Sequence, residues 1–349
     1  MNTPPSTRRN PSARERPTLA KPKTSYFVSE KTALSFVSSG CTLLDCALGG
    51  GYVLGRITNV VGDKSTAKTA LATEALINFI RAYPNGAAAY RDAEAAFDPA
   101  YAAAMGLNLE TIDFGGEEPL TTVEGFARDL DVFIEKQVKA DAPGIYVLDS
   151  LDALSDEAEM EADIGKGTYG TAKAKALSTF FRKTARKLEK SKILLLIVSQ
   201  VRDNIGAMFG DKHKRSGGRA LDFYASQIMF LSHLKTLKRT INKVERPYGI
   251  LIKAKLKKNK VALPFREAEF EFSFGYGIED LGASVTWLRE VGRLKDINIK
   301  DSEAKDYLAS FASMSDADYR KEQVAVSATV KKAWAEIETE FLPSRSKYA

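Results

Sequence analysis

The stretch Gly62-Asp63-Lys64-Ser65-Thr66-Ala67-Lys68-Thr69 constrains this chain more than any other. It lies between the β-branched run Ile57-Thr58-Asn59-Val60-Val61 and a helical pattern over residues 68–82. A strand that turns directly into a helix aims successive backbone N–H groups and a helix N-terminus at one point, and that point attracts phosphate. The spacing G-x-x-x-x-A-K-T is that of a phosphate-binding loop. Gly62, Asp63, Lys64, Ser65, Thr66 and Ala67 are expected to wrap the phosphates of ATP. Lys68 would neutralise the β and γ groups, and the Thr69 hydroxyl would bind Mg2+. Ala67 stands where glycine is usual. Its methyl costs on the order of 1 kcal/mol if the backbone there is left-handed, and nothing if it is helical.

The rest of the chain supplies a frame for such a loop. Apolar runs at 145–148 and 193–198 read as buried strands, and residues 123–139 and 169–190 read as helices. This alternation predicts an α/β fold, a P-loop ATPase core with a mostly parallel sheet flanked by helices. Strand follows strand from 248 to 274, which predicts an antiparallel extension. Beyond about residue 280 the pattern is helical and charged, with Trp287 and Trp334 as anchors of a small core. Residues 1–30 are rich in Pro, Ser, Thr, Arg and Lys and cannot bury enough surface to offset ordering. The expected organisation is therefore a disordered basic arm (1–30), a core (31–280) and a small helical C-terminal domain (281–349).

Several classes are disfavoured. No apolar run approaches the ~20 residues of a membrane span, and the N-terminus has no apolar leader stretch. Cys41 and Cys46 have no matching His or Cys pair, so zinc is not expected and reduced thiols in the cytoplasm are. The net charge of +6 favours a polyanionic partner without specifying one.

Three polar residues sit where strands are expected to end. Asp149 closes the run 144–149 and would hold the metal through water beside the loop. An apolar run ending in Asp is also a common strand exit, and the phosphate loop upstream decides between the two. Glu94 follows a short strand and is either a general base facing the γ-phosphate or a solvated loop acid. Gln200 ends the run 193–199 and is either a γ-phosphate sensor or an ordinary strand-end amide.

These pieces, in this order, resemble the bacterial RecA recombinase family. The resemblance starts at Val37-Ser38-Ser39-Gly40 and passes through Asp92-Ala93-Glu94 with Asp98-Pro99 and Tyr101. It continues at Asp149-Ser150-Leu151-Asp152-Ala153-Leu154 and is strongest at Ile205-Gly206-Ala207-Met208-Phe209-Gly210, Gly217-Gly218 and Ala220 to Ser226. It ends with Lys258-Asn259-Lys260, Pro264-Phe265 and Gly275-Tyr276-Gly277-Ile278. It implies an ATP-dependent, filament-forming strand-exchange protein that hydrolyses ATP in response to DNA. Glu94 would then be the catalytic base, Tyr101 would stack on adenine and Asp98 would meet its amino group. Gln200 would couple the γ-phosphate to the following loop, and Lys258 and Lys260 would reach the ATP of a neighbouring subunit.

The resemblance also implies two DNA-binding segments. The first carries Gly165, Lys166 and Tyr169, with Arg182 on the helix after it. The second carries Arg202, Met208, Phe209, Lys212, Lys214, Arg215, Gly217 and Gly218. Cations would neutralise phosphates and Phe209 would wedge between bases, so single- and double-stranded DNA would bind largely without sequence preference. Departures from the family pattern mark a divergent member, of cellular or viral origin. Besides Ala67, Asp203 is expected to weaken DNA affinity. No long N-terminal gripping helix is evident, and residues 24–36 would offer a shorter one. Residues 342–349 are not acidic, so autoinhibition by an acidic tail is not expected. Two other readings of the same pieces are a ring helicase or recombination mediator, and a non-hydrolysing, ATP-gated DNA coat.

Overall fold

In the computed structural model, residues 34–161, 170–203, 213–214, 218–345 and 347 are described. A short pair, β1 (Phe36–Val37) and β2 (Tyr52–Val53), brackets α1 (Thr42–Leu48). Next come β3 (Ile57–Gly62), α2 (Lys68–Ala82), β4 (Ala87–Asp92), α3 (Pro99–Ala104) and β5 (Ile112–Asp113). α4 (Val123–Ala140), β6 (Gly144–Asp149), α5 (Glu157–Glu161), α6 (Gly170–Ser191) and β7 (Ile193–Gln200) follow. A small pair, β8 (Arg202–Asp203) with β9 (His213–Lys214), precedes α7 (Gly218–Tyr224). The long hairpin β10 (Gln227–Ile241) and β11 (Val244–Asn259) leads to β12 (Glu267–Ser273) and β13 (Gly277–Ile278). Three helices close the chain: α8 (Asp280–Glu290), α9 (Ala304–Ser310) and α10 (Asp316–Glu340).

Among the described residues, nine strands join in the order β13-β12-β11-β10-β3-β7-β6-β4-β5. From β10 to β5 every neighbouring pair is parallel, and from β10 to β13 every pair is antiparallel. β6 and β7 are apolar almost throughout because both of their faces are covered, and the polar Thr58 and Asn59 inside β3 are buried with hydrogen-bond partners. Side chains alternate between those faces. Ile145 and Val147 pack with Leu71 and Leu76 of α2 on one side. Tyr146 and Leu148 pack with Phe126 and Leu130 of α4 and Phe181 of α6 on the other.

The strands expected at 57–61, 145–148 and 193–198 are present as β3, β6 and β7, and the expected helices as α2, α4 and α6. The antiparallel extension is present as well. At the C-terminal end, Leu281, Val285 and Leu288 of α8 and Val326 and Val330 of α10 join the core cluster that includes α1 and β11. Trp287 and Trp334 pack together with ring centroids 5.6 Å apart. Asp280 accepts from the Thr42 backbone N–H at 2.6 Å, so a C-terminal carboxylate caps the N-terminus of α1. Among the described residues, no helix is long and apolar enough to cross a membrane.

A two-pronged ion pair clasps α10 to the sheet. Arg266 donates from Nε and Nη2 to the two carboxylate oxygens of Glu338, at 2.6 Å each. Both side chains are less than a third exposed, so solvent screens the pair only in part. Arg266→Ala is expected to lower the unfolding free energy by about 1–2 kcal/mol. A double-mutant cycle with Glu338→Ala, measured by urea denaturation, should return a coupling of roughly 1 kcal/mol; strict additivity would show that the clasp contributes nothing.

Candidate nucleotide-binding site

The loop after β3 folds tightly because Gly62 lacks a side chain. A Cβ at Gly62 would lie 2.4 Å from the Thr66 hydroxyl oxygen. That hydroxyl instead donates to the Asp63 carbonyl at 2.8 Å. Lys68 opens α2, and its Nζ curls back to donate to the same Asp63 carbonyl at 2.7 Å. Burial holds the Lys68 ammonium below the usual lysine range, although Asp149, Glu94 and Asp63 pull the other way. Ala67 has φ 59° and ψ 30°, so of its two sequence alternatives the left-handed one applies. Ser65 is also left-handed, at φ 58°.

Parallel register brings the acids to this loop. Asp149 ends β6 and pairs with Asp92 at the end of β4. One carboxylate oxygen of Asp149 accepts from the Thr69 hydroxyl at 2.6 Å and from the Tyr90 hydroxyl at 2.9 Å. Burial pushes the Asp149 carboxyl above its ordinary range; the two hydroxyl donors offset this in part, and Glu94 and Asp92 add to it. The Thr69 hydroxyl and the Asp149 carboxylate form the oxygen donor set that a hard divalent cation takes. The site therefore fits a triphosphate with Mg2+ on its chemistry.

Glu94 is exposed and is held by hydrogen bonds. The Gln200 amide donates to its two carboxylate oxygens at 2.8 and 2.9 Å, and the Ser150 hydroxyl donates to it as well. Asp92 shapes the loop that carries it, accepting from the backbone N–H groups of Glu94 at 3.1 Å and Phe97 at 2.8 Å. The end of β7 is fastened too. The Gln200 N–H donates to Asp152 at 2.7 Å, and the Val201 N–H donates to the Gly62 carbonyl at 3.2 Å. Residue 201 is thus tied to the first residue of the phosphate loop.

A cavity of about 430 Å³ adjoins Lys68 and Thr69 and is lined also by Phe97, Asp98, Tyr101 and Phe272. One oxygen of Asp98 accepts from the Tyr101 N–H at 3.0 Å and caps α3. Lys258 and Lys260 do not line this cavity. Lys258 pairs with Ile228, which pairs with Asn59, upstream of Gly62 on β3. The two ammonium groups donate to the Phe223 carbonyl at 2.9 and 3.2 Å.

Of the expected DNA-binding positions, Gly165, Lys166, Tyr169, Met208, Phe209, Lys212, Arg215 and Gly217 lie outside the described residues. Arg202 and Lys214 are cross-strand partners in the β8–β9 pair, Gly218 opens α7, and Arg182 is exposed on α6. Sequence reasoning missed Tyr90, Ser150 and Asp152 as partners of the site. Their signal was position: Tyr90 lies four residues before Glu94, and Ser150 and Asp152 directly follow the strand-end acid. It also missed Phe272, which lies far along the chain.

Comparison with known proteins gives concordant results. A family model described as the RecA N-terminal domain matches residues 25–279. Protein RecA of Arthrospira platensis is 36% identical over 271 residues, covering 76% of this chain and 69% of that relative. Protein RecA of Nostoc punctiforme is 37% identical over 256 residues, covering 73% of this chain and 67% of that relative. Protein RecA of Synechococcus sp. (strain WH7803) is 37% identical over 256 residues, covering 73% of this chain and 63% of that relative.

Two substitutions test this electrostatic and backbone picture. Ala67→Gly relieves about 1–2 kcal/mol of left-handed strain but adds about 0.4–1 kcal/mol of unfolded-chain freedom. A net stabilisation of up to about 1 kcal/mol is expected by chemical denaturation, and a clear loss would contradict the strain. The raised Asp149 pKa means that the folded chain binds this proton more tightly than the unfolded chain. Its contribution to stability therefore declines as pH climbs from the ordinary carboxylate range through the raised value. Asp149→Asn should flatten that decline and raise the ligand-free melting midpoint near neutral pH, as read by thermal denaturation across pH. An unchanged pH profile would show that the carboxylate is fully compensated.

Proposed function

The chain belongs to the RecA family, and on that premise we propose that it is an ATP-dependent recombinase. It coats single-stranded DNA as a filament in the cytoplasm, hydrolyses ATP when DNA is bound, and exchanges strands with a homologous duplex. The observation that carries this reading is the bonding of Gln200 to Glu94. The residue that restrains the candidate base is also the last residue before the candidate DNA segment, 201–218.

The loop amides and Lys68 bind the triphosphate, and Tyr101 and Asp98 take the adenine. Thr69 and Asp149 would hold Mg2+, which would supply positive charge to neutralise the phosphates. Glu94 accepts the proton of the attacking water at one of its carboxylate oxygens. Before that it must lose one Gln200 bond. A γ-phosphate is a strong acceptor that competes for the Gln200 amide, so its arrival loosens Glu94 and moves the end of β7 together. Lys258 and Lys260 do not line the cavity beside the chain's own loop, which suits a role on a neighbouring subunit's phosphates. A nucleotide shared across that junction favours assembly by linkage. Lys166, Arg182, Arg202, Lys212, Lys214 and Arg215 neutralise DNA phosphates, with Phe209 between bases and the glycines allowing the segments to adapt.

Glu94→Gln is expected to cut DNA-stimulated phosphate release by at least ~100-fold while leaving filaments intact by electron microscopy with a non-hydrolysable analogue. Gln200→Ala should retain basal hydrolysis and lose its stimulation by single-stranded DNA. Hydrolysis indifferent to DNA in the parent protein overturns the reading. Rings that unwind duplexes without forming joint molecules would replace it with a helicase.

A further inference from the structure

The β10–β11 hairpin is longer than the sheet it belongs to. β3 pairs with β10 only over Gln227–Leu231, and β12 pairs with β11 only over Gly249–Lys255. Beyond those limits the two strands pair with each other alone, through Lys238↔Pro247, Arg239↔Arg246, Thr240↔Glu245 and Ile241↔Val244. The result is a two-stranded ribbon with residues 238–247 all exposed. Asn242 and Lys243, both at positive φ, form its two-residue turn.

Its composition is one-sided. Residues 235–247 carry Lys235, Lys238, Arg239, Lys243 and Arg246 against the single acid Glu245. The Lys238–Glu245 bridge at 2.9 Å has both side chains about half exposed and offsets little. Arg239 and Arg246 are direct cross-strand partners, where like charges are unfavourable. The Arg239 guanidinium lies 4.6 Å from the Tyr248 ring centroid, which eases only one of the two. At the tip, Ile241 and Val244 pair with each other at 61% and 51% exposure. Charge on a free edge also deters strand-to-strand association. That purpose is served by either sign, and it requires neither two opposed arginines nor a bare apolar pair.

We propose that this ribbon is a duplex-DNA contact, separate from the 165–182 and 201–218 segments. Its fit is to a groove. A B-form major groove is ~12 Å wide and admits a two-stranded ribbon, whose flanking cations then meet phosphates on both walls. The opposed arginines, unfavourable alone, are screened by those phosphates, and the apolar tip reaches the base edges. The inference rests on the reading of the chain as a DNA-handling recombinase and names where that activity engages its duplex.

The test uses the full chain carrying Lys243→Asn and Arg246→Gln, which keep the turn and the ribbon but remove two cations. Binding to a labelled B-form duplex is followed by anisotropy across a salt titration, beside single-strand-stimulated ATP hydrolysis. The expected result is a duplex log–log salt slope shallower by roughly 1.8, about 0.9 per lost phosphate contact. Single-strand-stimulated hydrolysis should be unchanged, and Lys243→Arg with Arg246→Lys should restore the slope. An unchanged duplex slope with intact stimulation overturns the ribbon proposal alone. Loss of affinity for polyglutamate without loss for duplex overturns it in favour of an acidic polypeptide. A parent that shows no single-strand stimulation and no duplex binding overturns both this proposal and the recombinase reading.

Discussion

Everything functional in this molecule depends on charges being drawn out of water at one end of a parallel sheet. Lys68 and Asp149 are both largely buried, and burial works against the ionised form of each. They stay there because β3, β6 and β7 are mostly apolar and pack side by side in one sheet, with Thr58 and Asn59 satisfied inside it. The charged side chains collect at the strand ends. Register therefore does the chemist's work: Gly62 pairs with Gln200, and Asp92 pairs with Asp149. A one-residue slip would exchange the side chains packed on the two faces and move Gln200 and Asp149 out of line with Gly62 and Asp92, so core packing fixes the positions of the site residues.

Much of this was legible in the sequence, for physical reasons. Apolar and β-branched runs without strict alternation point to two-sided burial, so the parallel sheet followed from 57–61, 145–148 and 193–198. The phosphate loop was legible because its local backbone makes the binding site. Glu94 was less so. Its two sequence readings were loop acid and general base, and its contact with Gln200 has no local signal because that residue is more than a hundred positions away. The same holds for Phe272, which reaches the cavity from β12. Pairwise contacts across long sequence separation leave no period in the chain.

The C-terminal helices were legible from composition only in outline. The charged, helical pattern beyond residue 280 is present as α8, α9 and α10. Val326, Val330 and Ala333 contribute a narrow stripe to the cluster that α1 and β12 also fill. Three buried positions on a helix of 25 residues are a weak periodic signal. The clasp between Arg266 and Glu338 is invisible to any local window.

The bond from Lys68 to the Asp63 carbonyl has a consequence for selectivity. The loop supplies its own acceptor to the cation that ligands seek, so the lysine is already occupied in the resting protein. A lone orthophosphate would gain a charge-assisted bond but must break the existing one, so part of its advantage is offset. A chain of phosphates touching the loop amides, the ammonium and the Thr69 hydroxyl at once can displace that carbonyl cooperatively. On the proposed reading, self-satisfaction of the loop would act as a threshold that favours ligands carrying several phosphates.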